Sequence, residues 1–211
     1  MIVQDVMQPH VVTGHPDTSL KEALRLMRQR GIRHLPIVDD GLLVGIVSDR
    51  DVGQAVAAGE VREEAGAGDI LARIPLGAIM TRQVMTTGPM TAVEEAAAIM
   101  LGHRISAVPV LDAERLVGIV TETDLLRVLV RALGAGQPSS RLDVLLEPSG
   151  ASVGEVIALV EAAGVPVSSV LTMAGDTMRE IILRVPTIDP GPAVRALAAK
   201  GYAVRAWNAP A

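Results

Sequence analysis

The chain has 211 residues, of which 49% are hydrophobic, so it can form one large core or two small ones. A net charge of −5 and only 1% aromatic residues exclude a general nucleic-acid binder, which needs a basic surface or stacked rings. No run approaches the ~18 consecutive apolar residues of a membrane span, so we expect no membrane partner. The absence of cysteine excludes disulfides and agrees with an expected cytoplasmic location.

Two segments of the chain repeat one another at an offset of seventy-three positions. Met7–Asp51 aligns with Met80–Asp124 without a gap, and 17 of the 45 aligned positions are identical. Each copy ends on nearly the same phrase, GIVSDRD at 45–51 and GIVTETD at 118–124. Chance would give only a few matches in such a window, so the chain contains two copies of one structural unit.

The elements of the first copy can be followed in chain order. A short extended piece at Val11–Thr13 precedes the helix SLKEALRLMRQR, for which Thr18 is the predicted N-cap and Gly31 the predicted C-terminal cap. Two short apolar strands, HLPIV and LLVGIV, are joined by the turn residues DDG, and a second helix starts at SDRD. The second copy has the same order, with Thr91 as the predicted N-cap. Each copy is therefore predicted to be a β-α-β-β-α unit, and the two are expected to pack as a pseudo-two-fold pair.

Composition divides the chain into three predicted regions. The first repeat covers residues 1–60, and the linker with the second repeat covers 61–133. A cluster of Gly, Pro and Ser at 134–140 marks the next boundary. Residues 141–211 then show the order β-α-β-β-α-β, which is the ferredoxin-like plan. The predicted fold class is therefore α+β.

Each copy places a hydroxyl residue three positions before an aspartate, where a predicted strand gives way to a helix: Ser48 and Asp51, Thr121 and Asp124. The simplest interpretation is a capping box that stabilises the start of the helix. The same geometry suits a nucleotide, because a helix start attracts phosphate and a carboxylate can accept hydrogen bonds from ribose hydroxyls. Arg50 could neutralise phosphate in the first copy, whereas its counterpart is Thr123. The residues alone leave both interpretations open.

The doubled pattern resembles a tandem pair of CBS domains, often called a Bateman module, over roughly residues 1–130. The resemblance rests on VMQPHVVTGHPDTSLKEALRLM, on GIRHLPIVDDGLLVGIVSDRD and on their counterparts in the second copy. Such modules typically bind adenine nucleotides or adenosyl ligands between the repeats. The resemblance therefore implies a non-enzymatic, energy-sensing regulatory module that takes AMP, ADP, ATP or an adenosyl ligand as effector and requires no cofactor or metal. It also implies a homodimer and an unknown regulated protein.

The same resemblance implies a set of nucleotide-binding residues. By role, they are Asp51 and Asp124 for ribose, Ser48 and Thr121 for phosphate, Arg33 and Arg50 for phosphate charge, His34 and Ala107 for the base through their backbone, and Thr13 and Thr86 for the opposite wall. Neither repeat contains an aromatic residue, so a bound adenine would lie among Val, Ile, Leu and Met side chains.

Residues 141–211 resemble an ACT domain, a small regulatory module that often binds amino acids. The resemblance rests on the element order and on EPSGASVGEVIALVEAAGVPV, which places a possible effector loop at Glu147 and Gly150. A dimerising module without a ligand remains an equal interpretation. Two CBS units followed by an ACT-like module resemble the acetoin-utilisation family of regulatory proteins.

Two other functions remain open. The chain could be an oligomerisation module that binds no nucleotide. It could also be a weak metal-assisted nucleotide hydrolase, in which acidic residues of the repeated phrases bind Mg²⁺: Asp49, Asp51, Glu122 and Asp124. No evident nucleophile or base accompanies these carboxylates, so we expect no enzyme activity.

Overall fold

The computed structural model describes residues 1–55, 71–134, 138–147, 152–175 and 178–208. The chain divides into two compact units, Met1–Leu125 and Leu126–Ala211. Within the described ranges, no helix is both long enough and apolar enough to cross a bilayer. Most of the predicted linker and Gly150 lie outside the described residues.

The first copy of the repeat is a helix, a two-stranded hairpin and a second helix. A 3₁₀ helix at Val3–Asp5 begins the chain, and helix α1 covers Leu20–Arg30. Strands β1 (His34–Asp39) and β2 (Leu42–Ser48) pair in antiparallel fashion, and helix α2 covers Asp49–Ala55. Leu20, Ala23 and Met27 of α1 are buried, as their helical spacing predicts.

The second copy repeats this order. A 3₁₀ helix at Leu76–Ala78 precedes helix α3 (Val93–His103), and strands β3 (Ala107–Asp112) and β4 (Arg115–Thr121) form its antiparallel hairpin. Helix α4 covers Glu122–Ala132 and contains the point at which the two compact units divide. The two predicted copies are therefore confirmed as matching structural units.

The first strand predicted for each copy is reduced to a single bridge. Gly14 makes a parallel bridge to Ile37, and Thr87 makes the equivalent bridge to Val110. The extended piece predicted at Val11–Thr13 thus does not form a strand. The chain turns almost at once, because the amide of His15 donates to the Thr18 hydroxyl at 2.9 Å.

The predicted N-caps of the two long helices are wrong. Helix α1 is capped by Ser19, whose hydroxyl accepts from the Glu22 amide at 3.3 Å. Thr18 instead closes the preceding turn, and Thr91 does the same by accepting from the Gly88 amide at 3.2 Å. Helix α3 starts after Ala92, which has no side chain able to cap it. A threonine hydroxyl can serve either the turn before it or the helix after it, and here the turn takes it.

Left-handed backbone conformations end the first helix and close the hairpin of each copy. The first copy places residues there that tolerate a positive φ: Asp40 (48°), Gly41 (81°) and Gly31 (63°), the last as predicted. The second copy has the same backbone with residues that do not favour it: Arg104 (55°), Ala113 (44°) and Glu114 (68°). The fold therefore imposes this backbone even where the sequence opposes it.

The core of each copy includes residues from the leading segment of the other copy. Leu76 and Met80 lie at the start of the second copy but are buried in the core of the first, with relative exposures of 0% and 8%. Val3 lies at the start of the first copy but is fully buried in the core of the second, where Met7 packs against it. The two copies have exchanged their leading segments and form one unit.

Two glycines allow this exchange. A Cβ added at Gly45 of β2 would lie 2.5 Å from the Met80 sulfur, and one at Gly118 of β4 would collide with the Met7 sulfur. Each methionine thus lies directly against the bare backbone of a strand in the other copy. The glycine that opens each repeated phrase is a packing requirement as well as part of a motif.

The second unit is a four-stranded antiparallel sheet with two helices. Its elements are β5 (Ser140–Leu146), α5 (Val153–Ala162), β6 (Ser169–Ala174), β7 (Arg179–Val185), α6 (Gly191–Ala199) and β8 (Ala203–Asn208). The element order is the one predicted from the sequence. The strands lie in the order β6-β7-β5-β8, and Leu142, Val144, Ile181 and Leu183 of the two central strands are fully buried in the core.

Candidate functional site

The repeated phrase forms the same hydrogen-bonded turn in both copies. In the first, the Asp51 Oδ2 atom accepts from both the amide and the hydroxyl of Ser48, each at 2.7 Å, and the Ser48 hydroxyl accepts from the Asp51 amide at 3.2 Å. In the second, Asp124 Oδ2 accepts from the Thr121 amide at 3.0 Å and from its hydroxyl at 2.6 Å. The predicted capping box is confirmed in both copies.

The second carboxylate oxygen distinguishes the two aspartates. Asp124 is only 4% exposed, and its Oδ1 atom accepts a hydrogen bond from the Gln8 side-chain amide at 3.0 Å. Asp51 is partly exposed, and among the described residues its Oδ1 atom has no hydrogen-bond partner. Within the described residues, the capping role therefore engages only one of the two Asp51 carboxylate oxygens.

A cavity of about 230 Å³ opens beside Asp51 and is bounded by both copies of the repeat. Six residues that the sequence suggested for a nucleotide line it: Arg33, His34, Ser48, Arg50, Asp51 and Ala107. The other four are not among its lining residues: Thr13, Thr86, Thr121 and Asp124. The six predicted residues that line the cavity come from two places: the connection between the first helix and the first hairpin strand of each copy, and the start of α2. The pairing of the two copies brings these places together.

Several lining residues were missed by the sequence reasoning. The wall expected from Thr86 is instead formed by the exchanged segment just before it, which includes Thr81 and Met85. Arg104 and Ser106 also line the cavity, between α3 and β3. Ser106 could have been found, because it is the repeat counterpart of Arg33 and a two-fold pair brings such counterparts together. Arg104 carried a weaker signal, as the residue that replaces the helix-ending glycine of the first copy.

The cavity lining combines aliphatic and charged side chains. Ile46, Val84 and Ile105 supply apolar surface, and no aromatic side chain takes part, since neither repeat contains one. Three arginines also line the cavity, and all three are exposed: Arg33, Arg50 and Arg104. Asp49 and Asp51 are the acidic residues of the lining. Such a site combines van der Waals contact for a flat apolar group with positive charge.

His34 connects the two copies inside the cavity. Its Nε2 atom lies 2.9 Å from the Ser106 hydroxyl oxygen. Burial lowers the pKa of His34 below its usual 6.5 and the nearby Arg33 charge acts in the same direction, while Asp49, Asp51 and Glu122 oppose the shift. The imidazole is therefore neutral at pH 7 and can offer one donor and one acceptor.

Two further expectations concern metal ions and the second unit. Across the part of the chain that the structure describes, no group of three or more His, Asp or Glu side chains is arranged to hold a metal ion. Glu147 is exposed at the end of β5, and the residues that would complete the possible effector loop, including Gly150, lie outside the described ranges.

The paired repeats, their exchanged segments and the cavity between them define a class of protein. The family model for the CBS domain matches residues 3–58 and 76–131, which are the two copies described above. The chain therefore belongs to the CBS-domain family, as the sequence resemblance implied.

Several relatives resemble the paired repeats. The CBS domain-containing protein YhcV of Bacillus subtilis is 32% identical over 123 residues, which are 58% of this chain and 81% of YhcV. Some longer relatives are named as enzymes, and this chain spans only 23% of a sulfurtransferase and 24% of an acetyltransferase among them.

Solved structures show the same architecture. The CBS domain pair of protein MJ0100, in complex with 5′-methylthioadenosine and S-adenosyl-L-methionine, is 34% identical with a TM-score of 0.53, covering 61% of this chain and 95% of that one. A protein assigned to acetoin utilization (AcuB) from Vibrio cholerae is 32% identical with a TM-score of 0.54, covering 64% of this chain and 93% of its own.

Proposed function

We propose that this chain is a regulatory module that binds a phosphorylated adenosine ligand in the cavity beside Asp51. The observation that carries the proposal is a cavity lined by three arginines, by aliphatic side chains and by Asp51, whose Oδ1 atom has no hydrogen-bond partner within the described ranges. The bound state would be passed to a partner protein, since a ligand can shift a conformational equilibrium only through different affinities for the two states.

The adenosine part of the proposal rests on the inner half of the cavity. In this proposal the Asp51 carboxylate accepts from ribose hydroxyls, and the aliphatic side chains of the lining hold the base by contact alone. The related MJ0100 domain pair binds two adenosyl compounds. At about 230 Å³ the cavity is smaller than the roughly 300–1,000 Å³ of common ligand pockets, so a nucleotide would extend through its mouth.

The phosphate part rests on the arginines of the lining. Guanidinium groups bind phosphate oxygens in a bidentate manner, and Arg33, Arg50 and Arg104 all line the cavity. Arg104 also has a φ of 55°, in a region where a non-glycine residue costs about 1 kcal/mol or more. A strained arginine in the cavity lining is explained if its charge is needed there. Methylthioadenosine has no anionic group and would not use this charge.

The first experiment is calorimetric titration of the whole chain with AMP, ADP, ATP, cyclic di-AMP, S-adenosylmethionine and methylthioadenosine. We expect saturable binding, tighter for the phosphorylated compounds, and its loss in Asp51→Ala. Equal affinity for ADP and methylthioadenosine would contradict the phosphate part. No binding of any compound would overturn the whole proposal.

A sharper test uses Arg104→Gly. This change places the preferred residue in the left-handed conformation, so we expect the free energy of unfolding to rise by about 0.5–1 kcal/mol. ADP affinity should fall about tenfold, because one charge-assisted phosphate contact is lost. The matched control is Arg30→Gln, an exposed arginine of α1 outside the cavity lining, which should change neither quantity.

A second candidate function, self-association, is favoured by helix α4. Leu126, Leu129 and Val130 form one stripe of this helix and are 59%, 50% and 49% exposed. Exposed apolar stripes of this kind mark protein interfaces. We propose that the chain forms a homodimer, which sedimentation velocity would detect near twice the 22.0 kDa chain mass. Leu129→Glu should then give a monomer, with Arg131→Glu on the same helix as the charge control.

For the second unit we propose a ferredoxin-like, ACT-type regulatory role. Its support is the strand order β6-β7-β5-β8 with the connection pattern β-α-β-β-α-β. An effector there would lie at the loop after Glu147. Titration of the chain with single amino acids tests this role, and Glu147→Ala should weaken any binding found.

A further inference from the structure

We infer that Gln8 holds the second cleft of the CBS pair shut, so that each chain binds one nucleotide and binds it beside Asp51. The inference rests on the proposed function. It adds how many nucleotides each chain binds, which cleft binds them and which residue determines both. It starts from an asymmetry between two positions that are otherwise equivalent.

Gln8 and Thr81 are counterparts at the offset of seventy-three residues, and their backbones make equivalent hydrogen bonds. Gln8 exchanges two hydrogen bonds with Ile119 of β4, at 2.8 and 3.1 Å, while Thr81 exchanges two with Ile46 of β2, both at 3.0 Å. Each therefore lies beside the repeated phrase of the other copy. Only the side chain differs between the two places.

That difference decides whether the nearby aspartate can receive a ligand. The Gln8 amide donates to Asp124 Oδ1 at 3.0 Å, the oxygen equivalent to the one of Asp51 that the capping box does not engage. Thr81 lines the first cavity, and within the described residues it makes no side-chain hydrogen bond to Asp51. A glutamine amide reaches across the cleft, whereas a threonine hydroxyl is too short. Asp124 is 4% exposed, while Asp51 is partly exposed.

The second cleft also lacks two of the three arginines. The counterpart of Arg50 is Thr123, and the counterpart of Arg104 is Gly31. A nucleotide entering there would have to displace the Gln8 amide from a buried carboxylate and would find less positive charge for its phosphates. We expect its affinity to be at least about tenfold lower than in the first cleft, since a hydrogen bond to a charged group contributes that much.

The test is to exchange the residue that differs. Gln8→Thr installs the side chain that the chain already carries at the equivalent bridge, so the fold should tolerate it. Calorimetric titration with ADP should give one site per chain for the wild type and two for Gln8→Thr. The new site should disappear in Gln8→Thr combined with Asp124→Ala, while the original site should disappear with Asp51→Ala. Gln4→Thr, an exposed glutamine of the same leading segment, is the matched control and should keep one site.

The outcomes separate this inference from the proposed function. One wild-type site without a second in Gln8→Thr overturns the inference and leaves nucleotide binding standing. Two wild-type sites, or a single one lost with Asp124→Ala but not with Asp51→Ala, also overturn it. If neither the wild type nor Gln8→Thr binds ADP, the proposed function and the inference are both overturned. Thr81→Gln should weaken the original site, and an unchanged affinity would contradict the role given to this position.

Discussion

The two copies of the repeat share one backbone conformation, but their side chains have different roles. Both have the same capping box, the same bridges to the other copy and the same left-handed turns. The first copy fills those turns with residues suited to them and leaves the Asp51 carboxylate beside an open cavity. The second accepts strained residues, and its buried Asp124 accepts a hydrogen bond from Gln8. Packing between copies thus fixes the backbone, and function depends on which side chains it carries.

The largest expected effect concerns the exchanged segments. Leu76 is fully buried in the core of the first copy although it leads into the second. Leu76→Ala should lower the free energy of unfolding by about 2–5 kcal/mol, the usual cost of a cavity at a buried leucine. Urea denaturation followed by circular dichroism measures it.

Leu101→Ala is the control for that measurement, because Leu101 is 79% exposed on α3 and should change stability by less than about 0.5 kcal/mol. A similarly small loss for Leu76→Ala would mean that the leading segment does not complete the core of the first copy. The equivalent change in the second copy, Val3→Ala, removes a smaller side chain and should cost less.

A smaller effect tests the difference between the hairpin turns. Glu114 has a φ of 68° where the first copy has Gly41 at 81°. Glu114→Gly should raise the free energy of unfolding by about 0.5–1 kcal/mol, and Gly41→Glu should lower it by a similar amount. Thermal unfolding of the two variants checks this. Changes of the same sign in both would show that the two turns are not equivalent.

The smallest effect is the pH dependence that His34 contributes. Its pKa is lowered in the folded chain, so the unfolded chain binds more protons just below pH 6.5, and stability falls as the pH falls through that value. His34→Gln should remove part of the loss in urea midpoint between pH 7.5 and 5.5. His103→Gln changes an exposed histidine of α3 and serves as the control. An unchanged pH dependence in His34→Gln would contradict the assigned cause.

Local patterns in the sequence predicted the elements well. The helical spacing of α1, the glycine that ends it, the turn at Asp40 and Gly41 and the capping boxes all depend on neighbouring residues, and the structure has them where they were expected. Thr18 and Thr91 were misassigned because a hydroxyl can serve a turn or a helix, and the sequence does not say which.

Long-range features could not be predicted in the same way. Nothing in the neighbourhood of Leu76 or Val3 indicates that each is buried in the other copy. The contact of Gln8 with Asp124 spans 116 residues and depends on that exchange. Arg104 lines the cavity only because the two copies pair. Six of the residues that line the candidate site could therefore be predicted from the sequence, whereas the rest of the lining and the choice between two equivalent clefts required the packed structure.

The exchange of leading segments also bears on how the chain is made. Val3 and Met7 are translated well before the strands that bury them, Ala107–Asp112 and Arg115–Thr121, which leave the ribosome about a hundred residues later. The hydrophobic core of the first copy likewise remains incomplete until Leu76 and Met80 have been synthesised. We expect neither copy to fold until the other has been synthesised. A nascent chain stopped before the second hairpin should therefore remain sensitive to proteases.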